Sequence, residues 1–252
     1  MLKTSLLEQI SNLHHGLAIL VDPDKFISLE NKKEWIKRVN FLNPDYIFIG
    51  GSIVSKKDFD CCIETLKEYT TVPIVIFPGN YDQIHADADA LLFLSLLSGQ
   101  NPEYLINQHI KAVELLENIY LEIIPTAYLL IDGGIQTAVQ YVSQTQPIPR
   151  NAKSIAYKIA LAGKYQGKKL IYLDAGSGAK NSVPNEMIAE VIKIGLPLIV
   201  GGGIRSVEQI KACYDSGANL VVIGNKLEED MDFILDLVNY KSNISIKALP
   251  SD

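Results

Sequence analysis

Hydrophobic residues fall in short runs of strand length, separated by longer stretches in which apolar residues recur every three or four positions. The runs cover residues 16–21, 46–49, 72–77, 90–96, 128–131, 170–173, 196–200 and 220–223. Helical patterns between and after them cover residues 30–42, 57–69, 102–119, 152–165, 184–194, 207–216 and 228–239. Strands that alternate with helices imply a parallel sheet, and eight such units suit the 252 residues of the chain. We therefore predict an α/β fold, a single (β/α)8 TIM-type barrel that occupies residues 1–252 as one domain.

The rhythm breaks between the third and fourth predicted strands. Residues 78–89 carry polar and turn-forming residues, including Gly79, Asn80 and Asp82, and are too few for a helix that crosses the barrel wall. We expect one helix to be missing or replaced after strand 3. A long polar connection at residues 132–151 is predicted to lie over the barrel mouth, either as a lid or as a plain surface excursion.

Composition narrows the class of protein. The net charge is −6, and the 23 lysines and arginines are scattered along the chain, which argues against a nucleic-acid partner. The three cysteines form neither a disulfide framework nor a zinc spacing. The opening residues 1–13 are typical of a helix rather than a signal peptide, and no apolar run reaches the roughly 20 residues that span a bilayer. We expect a cytoplasmic protein without a transmembrane segment.

Two glycine-rich segments follow the last two predicted strands. They are VGGGIRS at residues 200–206 and VIGN at residues 222–225, and each opens a helical pattern. In a barrel, backbone N–H groups and helix N-termini after strands 7 and 8 converge on a phosphate group. The sequence therefore predicts that the protein binds a phosphorylated small molecule.

Polar residues also stand at the ends of other predicted strands, which share one face of a barrel. Asp22 and Ser52 follow strands 1 and 2, so a carboxylate and a hydroxyl are expected to hold one Mg²⁺ ion. The alternative for Asp22 is an ordinary turn with a helix cap. Asp174 and Ser177 follow strand 6 and Asp132 follows strand 5; Asp174 is a candidate general base for a bound phospho-alcohol, or else it orders its loop.

Motifs in a fixed order carry a resemblance to a known family. They are LVDPDK at 20–25, IGGS at 49–52, FPGN at 77–80, ALLFLSLLSGQNPEYLI at 90–106, YLLIDGG at 128–134, YLDAGSGAKN at 172–181, VGGGIRS and IGN. Together they resemble the geranylgeranylglyceryl phosphate synthase family, in the branch with archaeal and Bacteroidetes-type members. The similarity extends over nearly the whole chain.

The resemblance implies prenyl transfer. The third-carbon hydroxyl of sn-glycerol 1-phosphate would attack a polyprenyl diphosphate, geranylgeranyl diphosphate as first choice, with Mg²⁺ assisting release of diphosphate. It implies a homo-oligomer, and a prenylated product makes transient contact with a membrane surface an expectation. The long apolar donor requires a groove, for which Phe77, Leu94, Leu96 and Tyr128 are candidate lining residues, with packing in the core as the favoured alternative for each.

Site residues carry over position by position. Asp22 and Ser52 match the metal positions of the family, and the glycerol-phosphate segment matches Tyr172, Leu173, Asp174, Ala175, Gly176, Ser177 and Gly178. The phosphate loops match Gly202, Gly203, Gly224 and Asn225. The chain has aspartate at position 174 where the family often has glutamate, and Leu20 where another branch has a lysine that contacts the phosphate. The phosphate is therefore expected to depend on backbone N–H groups, with Lys25 or Arg205 as candidate cations.

The residues alone leave other classes open. A metal-independent isomerase or aldolase acting on a sugar phosphate would use Asp22 and Asp174 as an acid and base pair. A flavin mononucleotide oxidoreductase could occupy the same phosphate loops. A non-catalytic phosphate sensor would bind glycerol phosphate without turnover.

Overall fold

Eight parallel strands close into a barrel in the computed structural model, which describes residues 4–247. The strands are β1 (Gly16–Val21), β2 (Tyr46–Ile49), β3 (Ile74–Ile76), β4 (Ala90–Leu96), β5 (Glu122–Leu130), β6 (Leu170–Asp174), β7 (Leu198–Gly201) and β8 (Leu220–Ile223). Each strand pairs with the next along the chain, and β8 pairs with β1. The predicted α/β barrel is thus confirmed.

Helices surround the barrel and extend its loops. They are α1 (Leu6–Asn12), α2 (Pro23–Ser28), α3 (Lys32–Leu42), α4 (Lys56–Tyr69), α5 (Asn107–Leu116), α6 (Ala138–Ser143), α7 (Lys153–Tyr165), α8 (Asn185–Val191), α9 (Val207–Asp215), α10 (Asn225–Glu229) and α11 (Phe233–Lys247). Short 3₁₀ turns cover Pro102–Tyr104 and Ile192–Ile194. Within residues 4–247, no helix is both long enough and apolar enough to cross a bilayer.

Strand alternation sorts the side chains into two layers. Inward residues, such as Leu170 and Tyr172 of β6, fill the barrel interior, whereas outward residues, such as Ile171 and Leu173, pack under the helices. Helix α1 closes the N-terminal end of the barrel, where Leu6 and Ile10 join the interior cluster. A functional site is therefore expected at the opposite end, where the strands terminate.

The expected loss of a helix after β3 is confirmed. Residues 77–89, all of which the structure describes, contain no helix. The buried Gln83 joins the loops on either side of β3: its Nε2 donates to the Gly51 carbonyl over 2.9 Å, and its Oε1 accepts from the Gly79 N–H over 3.0 Å. The Gln83 amide thus holds these two loops together.

Several predicted elements differ from the structure. Strand β5 begins at Glu122, earlier than the predicted 128, because Glu122 and Pro125 interrupt the apolar run that marked the strand. The predicted helix 102–119 is a 3₁₀ turn followed by α5, and the predicted helix 228–239 is divided between α10 and α11. Of the helix predicted at 1–13, the structure has Leu6–Asn12, and residues 1–3 lie outside the described residues.

Candidate active site

A cavity of about 260 Å³ opens at the C-terminal ends of the strands. We call it the mouth cavity; Ala138 and Val139 of α6 cover part of it, as expected of the 132–151 connection. The sequence-predicted residues that line it are Asp22, Ser52, Tyr172, Asp174, Ser177, Gly178, Gly202, Gly203, Gly224 and Asn225. The structure therefore brings the predicted metal, base and phosphate positions to one site.

Three of the predicted residues do not line this cavity. Leu173 and Ala175 are fully buried in the layer between barrel and helices, because successive residues of β6 point to opposite faces. Gly176 turns its N–H back to the Asp174 carboxylate. Of the contiguous segment inferred for glycerol phosphate, Tyr172, Asp174, Ser177 and Gly178 line the mouth cavity, whereas Leu173 and Ala175 contribute no side chain to it.

Asp174 is held by a donor on each carboxylate oxygen. The Tyr128 hydroxyl donates to Oδ2 over 2.7 Å, and the Gly176 N–H donates to Oδ1 over 2.7 Å. Burial raises the pKa of Asp174 above its ordinary value, and these two hydrogen bonds act in the opposite direction. A carboxyl whose proton affinity is raised by burial is suited to accept a proton from a substrate hydroxyl.

Gly202 and Gly203 shape the phosphate loop after β7. Their φ angles are +79° and +68°, a conformation that side chains rarely adopt. A Cβ on Gly202 would lie 2.6 Å from the Asp174 Oδ1, and one on Gly203 would lie 2.5 Å from the Asn181 carbonyl oxygen. The absence of side chains here lets the loop backbone pack closely against Asp174 and Asn181.

Gly202→Ala is therefore expected to weaken glycerol-phosphate binding by about 10-fold or more, because its Cβ, at 2.6 Å from both the Asp174 Oδ1 and the Gly176 nitrogen, forces the loop after β7 away from its position. Isothermal titration with glycerol phosphate measures the loss. The matched control is Gly167→Ala, which has a φ of +89° but no atom within 4 Å of its Cβ. It should carry the backbone strain without the loss of affinity, and equal losses in both variants would contradict this role for Gly202.

Asn225 ties the loops after β6 and β8 together. Its Oδ1 accepts from the Gly178 N–H over 2.7 Å and from the Ser177 hydroxyl over 3.1 Å, and its Nδ2 donates to Glu228 over 3.0 Å. The Asn225 side chain thus bridges these two loops at the end of the mouth cavity where the phosphate is expected.

Cations near this end are already paired. Arg205 lies 3.0 Å from Glu229, Lys226 lies 2.8 Å from Asp230, and Lys25 lies 2.6 Å from Glu228. Of the two candidate cations, Arg205 lines the mouth cavity, whereas Lys25 is not among its lining residues. These ion pairs agree with the expectation that a bound phosphate depends on backbone N–H groups, which stays a prediction.

Asp22 is both a helix cap and a cavity residue. Its Oδ1 accepts from the Asp24 N–H over 3.2 Å at the start of α2, and the half-buried carboxylate faces Gly51. Burial raises its pKa, an effect that Lys25 opposes and Glu228 reinforces. The two readings of Asp22, as a cap and as a site residue, are therefore compatible.

The oxygen donors here fit a magnesium ion. Within residues 4–247 no group of three or more histidine, cysteine, aspartate or glutamate side chains is arranged to hold a metal. Asp22 and Ser52 supply one carboxylate and one hydroxyl to the same cavity. Mg²⁺ accepts such a sparse set, because it retains waters and takes further oxygens from substrate phosphates.

An apolar groove adjoins the mouth cavity. The two share Ser52, Pro78, Gly79, Leu94, Tyr128 and Val139. The groove continues past Ile84, Leu91 and Phe93 to Ala112 of α5, along the side of the barrel where the helix after β3 is missing. Leu94, Leu96 and Tyr128 line it as predicted, whereas Phe77 lines the mouth cavity. The contributions of Ile84 and of α5 were missed, since only the folded loop and helix bring them to β4.

The closed eight-stranded barrel has glycine-rich loops after its last two strands and a buried carboxylate that faces the same cavity. These features define the class of phosphate-binding TIM-barrel enzymes. Within that class, the chain belongs to the PcrB family, whose model matches residues 9–241.

Relatives are similar over most of their length. Geranylgeranylglyceryl phosphate synthase of Zunongwangia profunda is 49% identical over 216 residues, which cover 84% of this chain and 90% of the relative. The synthase of Korarchaeum cryptofilum is 38% identical over 89% of this chain and 92% of the relative. The fold is also similar to the crystal structure of (S)-3-O-geranylgeranylglyceryl phosphate synthase from Thermoplasma acidophilum in complex with substrate sn-glycerol-1-phosphate. The TM-score is 0.85 and the identity is 31%, over 93% of this chain and 96% of that chain.

Proposed function

We propose that this protein is a prenyltransferase that joins sn-glycerol 1-phosphate to a polyprenyl diphosphate, with geranylgeranyl diphosphate as the favoured donor. The family and the names of its relatives support the activity. The observation that carries it in the structure is the junction of two unlike cavities: a polar mouth cavity with phosphate loops and an apolar groove that share a wall. A phosphorylated alcohol and a long hydrocarbon fit these two environments respectively.

The buried carboxylate supplies the proton acceptor. As the third-carbon oxygen of glycerol phosphate forms a bond to the first prenyl carbon, the bond from that carbon to diphosphate breaks, and the hydroxyl proton passes to Asp174. The phosphate loops hold the glycerol phosphate so that its hydroxyl lies beside the carboxylate. The groove keeps water from the allylic carbon, where positive charge develops.

Asp22 and Ser52 are the residues that would hold Mg²⁺. When bound, the ion neutralises charge on the departing diphosphate. Ser52 lines both cavities and Asp22 lines the mouth cavity, so an ion held by the pair would be within reach of the diphosphate of a donor seated in the groove.

Transfer of label into an organic solvent tests the proposal. Purified protein is incubated with labelled sn-glycerol 1-phosphate, Mg²⁺ and, separately, prenyl diphosphates of increasing length, with a chelator as control. Label is expected to enter the organic phase only when Mg²⁺ is present, and to the greatest extent with the geranylgeranyl donor. Label that persists in the chelator would contradict the metal dependence, and no label with any donor would overturn the transferase in favour of a sugar-phosphate isomerase.

The apolar groove also separates the proposal from its alternatives. An isomerase or aldolase for a sugar phosphate, or a phosphate sensor, has no use for an apolar channel that ends beside the candidate base. Cytoplasmic location, assembly into a homo-oligomer and transient contact with a membrane surface stay predictions for this activity.

A further inference from the structure

Tyr128 belongs to both cavities. Its side chain lines the mouth cavity and the apolar groove, and only 5% of the residue is exposed. Its ring packs edge-on against Phe77 and Tyr172, with centroid distances of 5.7 Å and 5.6 Å. These two contacts hold the ring on the side of Phe77 and Tyr172, and the ring also lines the groove, where an occupant can pack against it.

The register of the barrel explains where that hydroxyl points. Tyr128 of β5 is level with Tyr172 of β6, and Leu130 is level with Asp174. All four side chains share the inward face because they are two residues apart on each strand. The tyrosine hydroxyl thus reaches diagonally to the Asp174 Oδ2, at 2.7 Å.

We infer that Tyr128 is a positioning residue that couples the occupant of the apolar groove to the Asp174 carboxylate, an inference that rests on the proposed function. The prenyl chain contacts one side of the tyrosine ring, and the hydroxyl at the far end holds the base in place. A donor that fills the groove steadies the ring and with it the hydrogen bond to Asp174. A donor too short to reach the ring leaves this restraint to the protein alone.

The hydroxyl also selects the ionised form of the base. A donor to a carboxylate stabilises its charge, so loss of the Tyr128 hydroxyl raises the pKa of Asp174 beyond the increase that burial already causes. Gly201, at the end of the neighbouring strand β7, and Gly202, which follows it, bring no titratable group. The other titratable groups around Asp174 are Tyr172, on its own strand, and the charged lining of the mouth cavity, which consists of Asp22, Arg205, Lys226 and Glu228.

Tyr128→Phe, which keeps the ring and removes one oxygen, is the test variant. Without substrates, the Asp174 carboxyl is titrated by isotope-edited infrared spectroscopy, with Asp174→Asn to assign the band. The pKa of Asp174 is expected to rise by about one unit in Tyr128→Phe, since a hydrogen bond to a charged group is worth about that much. Tyr172→Phe is the matched control, because Tyr172 is an equally buried tyrosine near Asp174 with no hydrogen bond to it. An unshifted pKa in Tyr128→Phe, or equal shifts in both variants, would overturn the inference.

Kinetics then test the coupling. In the wild type, kcat with geranylgeranyl diphosphate should exceed kcat with dimethylallyl diphosphate. The acid limb of the pH profile of kcat should also lie at lower pH with geranylgeranyl diphosphate than with dimethylallyl diphosphate. In Tyr128→Phe, the acid limb of this pH profile is expected to move to higher pH and to be the same for both prenyl diphosphates. A limb that still depends on the donor in Tyr128→Phe would refute the coupling. Absence of turnover with every donor in the wild type would refute the proposed function instead, and the substrate-free titration would still decide the role of Tyr128.

Discussion

Asp174→Asn is expected to lower kcat by about 10²-fold or more, the range that a general base contributes. The amide is nearly the same size as the carboxyl and can still accept a hydrogen bond, but it cannot take up the hydroxyl proton. Glycerol-phosphate affinity should change little, because the phosphate loops after β7 and β8 remain intact. Steady-state kinetics with both substrates varied measure the two effects separately.

Asp132→Asn is the matched control for that experiment. Asp132 also follows a barrel strand, and its Oδ1 accepts from the Gly134 N–H over 2.8 Å, but it is not among the residues that line the mouth cavity. Its substitution should leave kcat close to that of the wild type. If Asp174→Asn raised only KM, Asp174 would be a binding residue and not the base.

Asp22→Asn is expected to lower the Mg²⁺-dependent kcat/KM by about 10²-fold, on the order seen when the support of a metal site is removed. Asparagine caps a helix as well as aspartate does, so α2 should keep its N-terminus and the fold its stability. The loss should therefore come from the missing negative charge. Binding of Mn²⁺ as a spectroscopic substitute should weaken in parallel, while glycerol-phosphate affinity stays nearly intact.

The neighbouring Asp24 provides the control for the metal assignment. Asp24 lies in the same turn, is exposed and does not line the mouth cavity. Asp24→Asn removes the same charge from the same helix start and should leave Mn²⁺ affinity and turnover almost unchanged. Unaltered Mn²⁺ binding in Asp22→Asn would remove Asp22 from the metal site.

The fold was predictable because parallel strands are buried on both faces and appear as continuous apolar runs. Strand β5 shows the limit of that signal, since Glu122 and Pro125 hide its first residues. Glu122 is polar for a tertiary reason: its carboxylate accepts from the backbone N–H groups of Leu6 and Leu7, at 2.6 Å and 3.0 Å, and so caps α1. Such a contact joins distant parts of the chain and leaves no local pattern.

The convergence of the candidate residues on one cavity was predictable to the extent that topology determines it. Asp22, Ser52 and Asp174 end separate strands, and a barrel brings strand ends to one face. Contiguity in the motif was a poorer guide, because strand alternation turns Leu173 away from the cavity. The hydrogen bond from Tyr128 to Asp174 depends on the register between β5 and β6, which no single-sequence pattern specifies.

The barrel wall is held unevenly around its circumference. β3 and β4 are joined only through Val75 with Ala90 and Ile76 with Leu91, and the connection between them supplies no helix to cover the join. β7 and β8 are joined through equally few residues, but α9 packs against β8 from outside. The join between β3 and β4 is therefore among the least restrained parts of the barrel wall, and the apolar groove runs beside it. We expect a long hydrocarbon to enter this groove from the side of the barrel, instead of end-first through the mouth.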